Sequence, residues 1–249
     1  MVIELAAVSA LAFLAAAIHA SVGFGFALIF VPSATLIVGP EASVAAMLIA
    51  VPLVGSVLYG IDRPRTPLWD AVPIAGVSVL SLPVGLWLLT HADDDLLRLL
   101  VGLAVAIAVI IDRWSGDRSE IERGRSSFAR ITMSGLASGV MRGATGIGGP
   151  PYVLYYRWLG GAGWQFRSRL FSSSAMSGIA SLCIAWFSGI FDSNTVPIVL
   201  VSFPTTAIGI SVGIWARPSI SEHRLQTISV LLLVATALLA MTTAISALV

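Results

Sequence analysis

The sequence predicts an all-α integral membrane protein with two inverted-topology repeats. Each repeat opens with a broken or re-entrant helix hairpin and continues with three transmembrane helices. Three observations predict this. Hydrophobic residues make up 57% of the 249 residues, charged residues only 11%, and the mean hydropathy is +0.94; a soluble domain carries about 25% charged residues. Apolar runs of roughly 20 residues, the length that crosses a bilayer core, recur along the chain. Finally, one glycine-rich interruption falls near the start of each half.

The first apolar run extends from Ile3 to Val38 and is broken at His19–Gly25. Met1-Val2-Ile3-Glu4 offers neither a basic n-region nor a clear cleavage site, so this run is expected to stay in the membrane. Ala42–Ile61 follows, then Leu68–Leu89, with Pro73 and Pro83 as expected kinks, then Leu96–Ile111. Residues 112–127 are hydrophilic and mix Arg113, Arg118, Arg123 and Arg125 with Asp117, Glu120 and Glu122. The mixed sign reads as a solvated linker rather than a binding tail. It separates repeat 1 (residues 1–111) from repeat 2 (residues 128–249). The second half has the same plan: Phe128–Leu159, interrupted at Gly143–Pro151, then Phe166–Ile190, Thr195–Trp215 with Pro197 and Pro204, and Leu225–Val249.

The repeat rests on segment order and spacing. Gly146 lies 123 residues after Gly23 (146 − 23), and Arg142 lies the same distance after His19. Pro197 follows Pro73 by 124 residues (197 − 73). Arginine placement sets the orientation. Arg63, Arg65, the linker arginines, Arg157, Arg167, Arg169, Arg217 and Arg224 can all share one side, which is then cytoplasmic. The other side receives Glu4, Glu41, Asp93, Asp94, Asp95 and Asp192, with Arg98 as the basic exception. The expected location is therefore the cytoplasmic (inner) membrane of a bacterium, multi-pass, with both termini outside and linker 112–127 inside. All seven tryptophans fall near segment ends, as an interfacial aromatic belt requires.

Depth can be counted. From Ile131 to Arg142 is roughly 16 Å of helix, near the middle of a core about 30 Å thick. From Pro151 to Arg157 is about 9 Å, too short to cross. Phe128–Leu159 is thus expected to be a hairpin reaching mid-depth. The return arm Phe26–Val38 is longer, so full crossing stays open there.

Unwound backbone at that depth is tolerated only under protein cover or beside a water-filled cavity. Gly146, Gly148 and Gly149 let the chain turn and let a ligand approach the backbone. Pro150 and Pro151 suit the first turn of a new helix. That helix aims its N-terminal amides and dipole inward, which makes an anion site. Gly23 and Gly25 are expected to do the same from the other half. Arg142 adds a cation whose central placement costs about 2.5–3.5 kcal/mol on insertion scales. No acidic residue lies near it on a span interior, so the expected counter-anion is the substrate. A guanidinium fork suits a carboxylate, phosphate or sulfonate; snorkelling to an interface is the structural alternative. His19, opposite Arg142, is a candidate for anion binding or proton carriage. Ser21 and Thr145 are candidate hydroxyl donors, or bond their own backbone at the break. Ser172, Ser173, Ser174 and Ser177 form a polar cluster that reads as a pore wall, with Ser173 the candidate contact, or as small-residue packing.

Other residues read more plainly. Cys183, the single cysteine, is expected to be a small buried apolar residue and excludes a Cys-based metal site. His91 and His223 are expected in solvated loops. No nucleophile elbow, His-Glu-x-x-His or P-loop lysine is present, and the chain has no lysine. No enzyme activity, cofactor, metal or nucleic-acid partner is expected.

The motifs Gly23-Phe24-Gly25-Phe26-Ala27-Leu28-Ile29-Phe30-Val31-Pro32 and Ser138-Gly139-Val140-Met141-Arg142-Gly143-Ala144-Thr145-Gly146-Ile147-Gly148-Gly149-Pro150-Pro151 resemble those of the TauE/SafE family of sulfite exporters and related sulfur-anion permeases. The chain length and short charged linker fit as well. Phe26 and Pro150 stand where a third glycine is common in the family. The resemblance implies a transporter of sulfite, sulfoacetate or similar organosulfonates, with export as the expected direction. Three rival readings stand beside it: a passive anion channel, an uptake permease for a sulfonate or other oxyanion, and a membrane subunit serving a partner enzyme. The expected partners are a small sulfur anion and the lipid bilayer, with proton coupling through His19 and a homodimer also carried as expectations.

Overall fold

The computed structural model describes residues 2–22, 25–115, 127–160, 163–191 and 195–216. Among them the chain forms helices and no strand: α1 (Val2–Val22), α2 (Phe26–Val38), α3 (Pro40–Ile61), α4 (Val72–His91), α5 (Asp94–Ser115), α6 (Phe128–Thr145), α7 (Gly149–Leu159), α8 (Gly163–Phe187) and α9 (Thr195–Ala216). A single 3-10 turn, Leu68–Asp70, precedes α4. Five helices, α1, α3, α4, α8 and α9, are long and apolar enough to cross a membrane. At 13 and 11 residues, α2 and α7 are too short. The expected segment 225–249, most of the linker, and Asp192, Arg217, His223 and Arg224 lie outside the described residues.

Proline placement explains four helix starts. Pro40 opens α3, and Pro150 and Pro151 open α7. Pro73 and Pro197 likewise fall in the first turns of α4 and α9, where a missing amide proton costs nothing. The expected kink at Pro73 is therefore corrected to a helix start. Pro83 and Pro204 lie inside their helices. The second interruption is also narrower than Gly143–Pro151. Helix α6 continues through Gly143 to Thr145, and only residues 146–148 are unwound. Gly143 stays helical because its bare face packs against Leu82, Gly85 and Leu86 of α4.

Three helix pairs build the bundle: α1 with α9, α4 with α6, and α3 with α8. Each is zipped by small residues, which let backbones approach where lipid removes the hydrophobic drive for association. Gly135, Gly139 and Gly143 of α6 face α4 with one turn between them. Gly209 and Gly213 of α9 lie on Phe13 and Ala17 of α1. In the third pair, a Cβ at Gly55 would lie 2.6 Å from the Ala175 nitrogen, and one at Gly178 would lie 2.9 Å from the Pro52 nitrogen. Hydroxyls add cross-links: Ser81 Oγ donates to the Leu136 carbonyl at 3.1 Å, and Ser21 Oγ donates to Gly213 at 3.1 Å.

Large apolar side chains point outward along mid-helix positions, as lipid contact demands; Leu80 is 80% exposed and Leu200 66%. Trp69, Trp87, Trp186 and Trp215 are exposed near helix ends, and the Arg130 guanidinium lies 3.3 Å from the Trp158 ring centroid. Cys183 is exposed rather than buried, on the outward stripe of α8 with Ile179 and Trp186. An apolar run reads alike whether its face meets lipid or protein, which is why sequence misplaced it. His91 ends α4 and stacks on Trp87 at 5.0 Å. The α3–α4 connection packs on the start of α8: Arg167 Nε lies 3.3 Å from Asp62 Oδ2, and the Thr66 amide donates to Ser168 Oγ at 2.8 Å. Arg63 and Arg65 therefore share one end of the bundle with Arg167 and Arg169.

Gly139→Leu should force α4 and α6 apart, because a Cβ there meets the Ser78 carbonyl and Ser81 Oγ. Overpacking of this kind costs about 1–3 kcal/mol. The melting temperature in detergent should fall, whereas Gly76→Leu, whose Cβ meets nothing within 4 Å, should leave it nearly unchanged.

Candidate functional site

Both helix breaks open onto one cavity of about 100 Å³. Its wall draws on His19 of α1, Gly25 and the first turn of α2, and Met47, Val51, Val54 and Gly55 of α3. From the second half come Arg142 of α6, Gly146–Pro150, Val153 of α7, and Leu170, Phe171 and Ser174 of α8. Most of this wall is apolar. Among the described residues lining it, Arg142 is the one ionised side chain and His19 the other titratable one.

Arg142 lies in the last turn of α6 and is 3% exposed. Its Nη1 donates to Ser177 Oγ at 2.6 Å. The Ser177 hydroxyl proton goes to the Ser173 carbonyl one turn back, which leaves its lone pairs for the guanidinium. Nε is buried without a hydrogen-bond partner. No acidic side chain among the described residues pairs with Arg142. The guanidinium carbon lies 5.6 Å from the Tyr152 ring centroid, where the aromatic face gives modest cation–π support. Gly148 completes the seat, because a Cβ there would come within 2.7 Å of Nε.

The break itself is held by local hydrogen bonds. Gly146 ends α6 in the left-handed region, φ 71°, where a side chain would be strained. Its amide donates to the Arg142 carbonyl at 2.9 Å. The Ile147 amide donates to Thr145 Oγ1 at 3.2 Å, and Ser138 Oγ donates to the Gly148 carbonyl at 2.6 Å. In the first half, Gly25 precedes α2 with φ 105°. The Phe26 amide donates to His19 Nδ1 at 3.2 Å, so His19 caps α2. With Nδ1 occupied as an acceptor, the ring proton sits on Nε2.

The two helix starts offer fewer donors than the glycine count suggests. Pro150 and Pro151 carry no amide proton, so Gly149 is the donor left in the first turn of α7 before Tyr152. In α2, His19 takes the Phe26 amide, leaving those of Ala27 and Leu28. Gly149, Ala27 and Leu28 line the cavity. The dipoles of α2 and α7 both present their positive ends there.

Of the residues singled out from sequence, His19, Gly25, Arg142, Gly146, Gly148 and Gly149 meet at this cavity. Gly23 lies outside the described residues. Ser21 turns away and bonds the carbonyls of Ala17 and Gly213. Thr145 bonds the Met141 carbonyl at 2.7 Å and caps the break. Ser173 is fully buried behind the wall, with its hydroxyl shared with the Tyr156 hydroxyl. Ser174, one residue on, faces the cavity instead. A run of three consecutive serines covers about 200° of a helix, so its spacing cannot say which one points inward. Ser177 holds the arginine and Phe171 lies against His19, ring centroids 6.0 Å apart. Neither contact has a local signal, because each joins residues far apart in the chain.

No curated protein and no solved structure matches the chain. One protein family does, described as Sulfite exporter TauE/SafE, over residues 8–240 of the 249. That description is of a membrane transporter rather than an enzyme, and it agrees with the five membrane-crossing helices of a multi-pass protein. The chain belongs to the sulfite exporter TauE/SafE family.

Proposed function

We propose that this protein is a secondary transporter that exports a small sulfur oxyanion, sulfite or an organosulfonate, across the cytoplasmic membrane. The anion binds near the bilayer midplane, between the two helix breaks. One observation carries the reading: a buried guanidinium with a single neutral hydrogen-bond partner faces a cavity ringed by unspent helix-start amides. Leaving such a cation without a counter-charge is costly, so the site is built for an anion. The family description supports the sulfur anion and the direction.

Inverted repeats with alternating access belong to the same proposal. The packing supports it. Exchanging the two halves turns the α1–α9 pair into the α6–α4 pair and leaves α3–α8 paired with itself. Within α3–α8, Gly55 meets Ala175 and Gly178 meets Pro52, reciprocal contacts between positions that all differ by the 123-residue repeat offset (178 − 55, 175 − 52). In this reading α6–α7 is a re-entrant hairpin, α7 being about 16 Å long. Linker and basic loops are cytoplasmic and the termini outside.

Arg142→Ala should abolish sulfite or sulfonate flux in proteoliposomes while the protein stays folded; undiminished flux would sink the role. Arg142→Lys should also transport poorly, because the planar fork is lost. Gly148→Ala, which pushes on Nε without touching charge, should lower flux several-fold through misplacement of the guanidinium.

His19 is proposed as the proton-coupling group. To take up a proton at Nδ1 it must release the Phe26 amide, so protonation and the seating of α2 are linked. Among the described residues, the charged side chain that shares the cavity with His19 is Arg142. His19→Gln can still accept from Phe26 but cannot titrate; it should flatten the pH dependence of transport, and an unchanged profile removes the role.

A further inference from the structure

We infer that the site selects a singly charged anion bearing an apolar group, and discriminates against dianions. This rests on the anion-transport reading above and concerns charge state and shape, which that reading leaves open.

The charge count comes from the cavity wall. Among the described residues of that wall Arg142 is the one ionised side chain, and Ser177, its partner, is neutral. His19 is not a second cation in this arrangement, because Nδ1 accepts the Phe26 amide proton and leaves the ring a neutral Nε2–H donor. The amides of Ala27, Leu28 and Gly149 and the Ser174 hydroxyl solvate without adding formal charge. A monoanion therefore closes the charge balance. With His19 holding the Phe26 amide, a dianion brings one negative charge that no described residue of the wall neutralises, and an unpaired charge out of water is strongly disfavoured.

The shape comes from the same wall. Phe26, Met47, Val51, Ile147, Leu170 and Phe171 give most of the wall an apolar lining. A sulfate or sulfite oxygen placed against them would lose water and gain no donor. A short alkyl group there would gain burial. The sulfonate head then lies at Arg142 with its organic substituent along the apolar side.

The test is equilibrium binding to the purified full chain in detergent at one neutral pH, with flux in proteoliposomes run in parallel. Two pairs of similar size separate charge from bulk: methanesulfonate against sulfate, and propanesulfonate against sulfoacetate. Each monoanion should bind at least about ten-fold tighter than its dianion, and propanesulfonate should exceed methanesulfonate by about four-fold per added methylene at full burial. Ser174→Lys, which adds a second cation, should narrow the gap between each pair about ten-fold. Equal or tighter binding of the dianions overturns the inference, and no gain from methyl to propyl overturns its apolar half. The expected order of binding without flux would overturn transport and leave the charge preference standing. Flux with the reverse order would do the opposite. No binding of any of the four anions overturns both.

Discussion

Peptide groups unwound inside an apolar bundle must find partners within the protein, and this requirement shapes the whole centre of the molecule. Around residues 146–148 the partners are Ser138 for the Gly148 carbonyl, Thr145 for the Ile147 amide and the Arg142 carbonyl for the Gly146 amide. In the first half the Phe26 amide goes to His19. What these bonds leave unpaired faces the cavity. The site is thus the remainder of a local hydrogen-bond balance, with one guanidinium added.

That balance depends on close helix packing. Ser138 Oγ donates to the Gly148 carbonyl and accepts from Ser78 Oγ of α4 at 3.5 Å, and Gly135, Gly139 and Gly143 let α4 come that close. Arg142 in turn is steered by α8 through Ser177, and α8 is locked to α3 by Gly55 and Gly178. Small residues at these crossings set the helix spacing at which Ser177 reaches the arginine. A bundle with bulkier seams would keep its helices and lose the geometry of its centre.

The two breaks are chemically unequal. One supplies a permanent cation, the other a titratable ring whose proton-free nitrogen caps a helix. One helix begins with two prolines and offers few amides; the other begins with Phe26 and gives its first amide to His19. Such inequality suits a site that binds one anion rather than two, with positive charge on one side and neutral donors on the other.

Much of this was legible in the chain. Composition determined the membrane class, the apolar runs determined the helices among the described residues to within a few residues, and the glycines with Arg142 marked the cavity, because lipid tolerates neither charge nor open backbone without a reason. Tertiary structure alone decided which glycines unwind and which pack: Gly143 and Gly146 are three residues apart, yet one meets α4 and the other has a positive φ. It alone decided that Ser174 faces the cavity, that Ser173 and Ser21 do not, and that Cys183 is exposed. The reason is common to all of them. An apolar helix is compatible with any rotation about its axis, and only its neighbours fix which face turns inward.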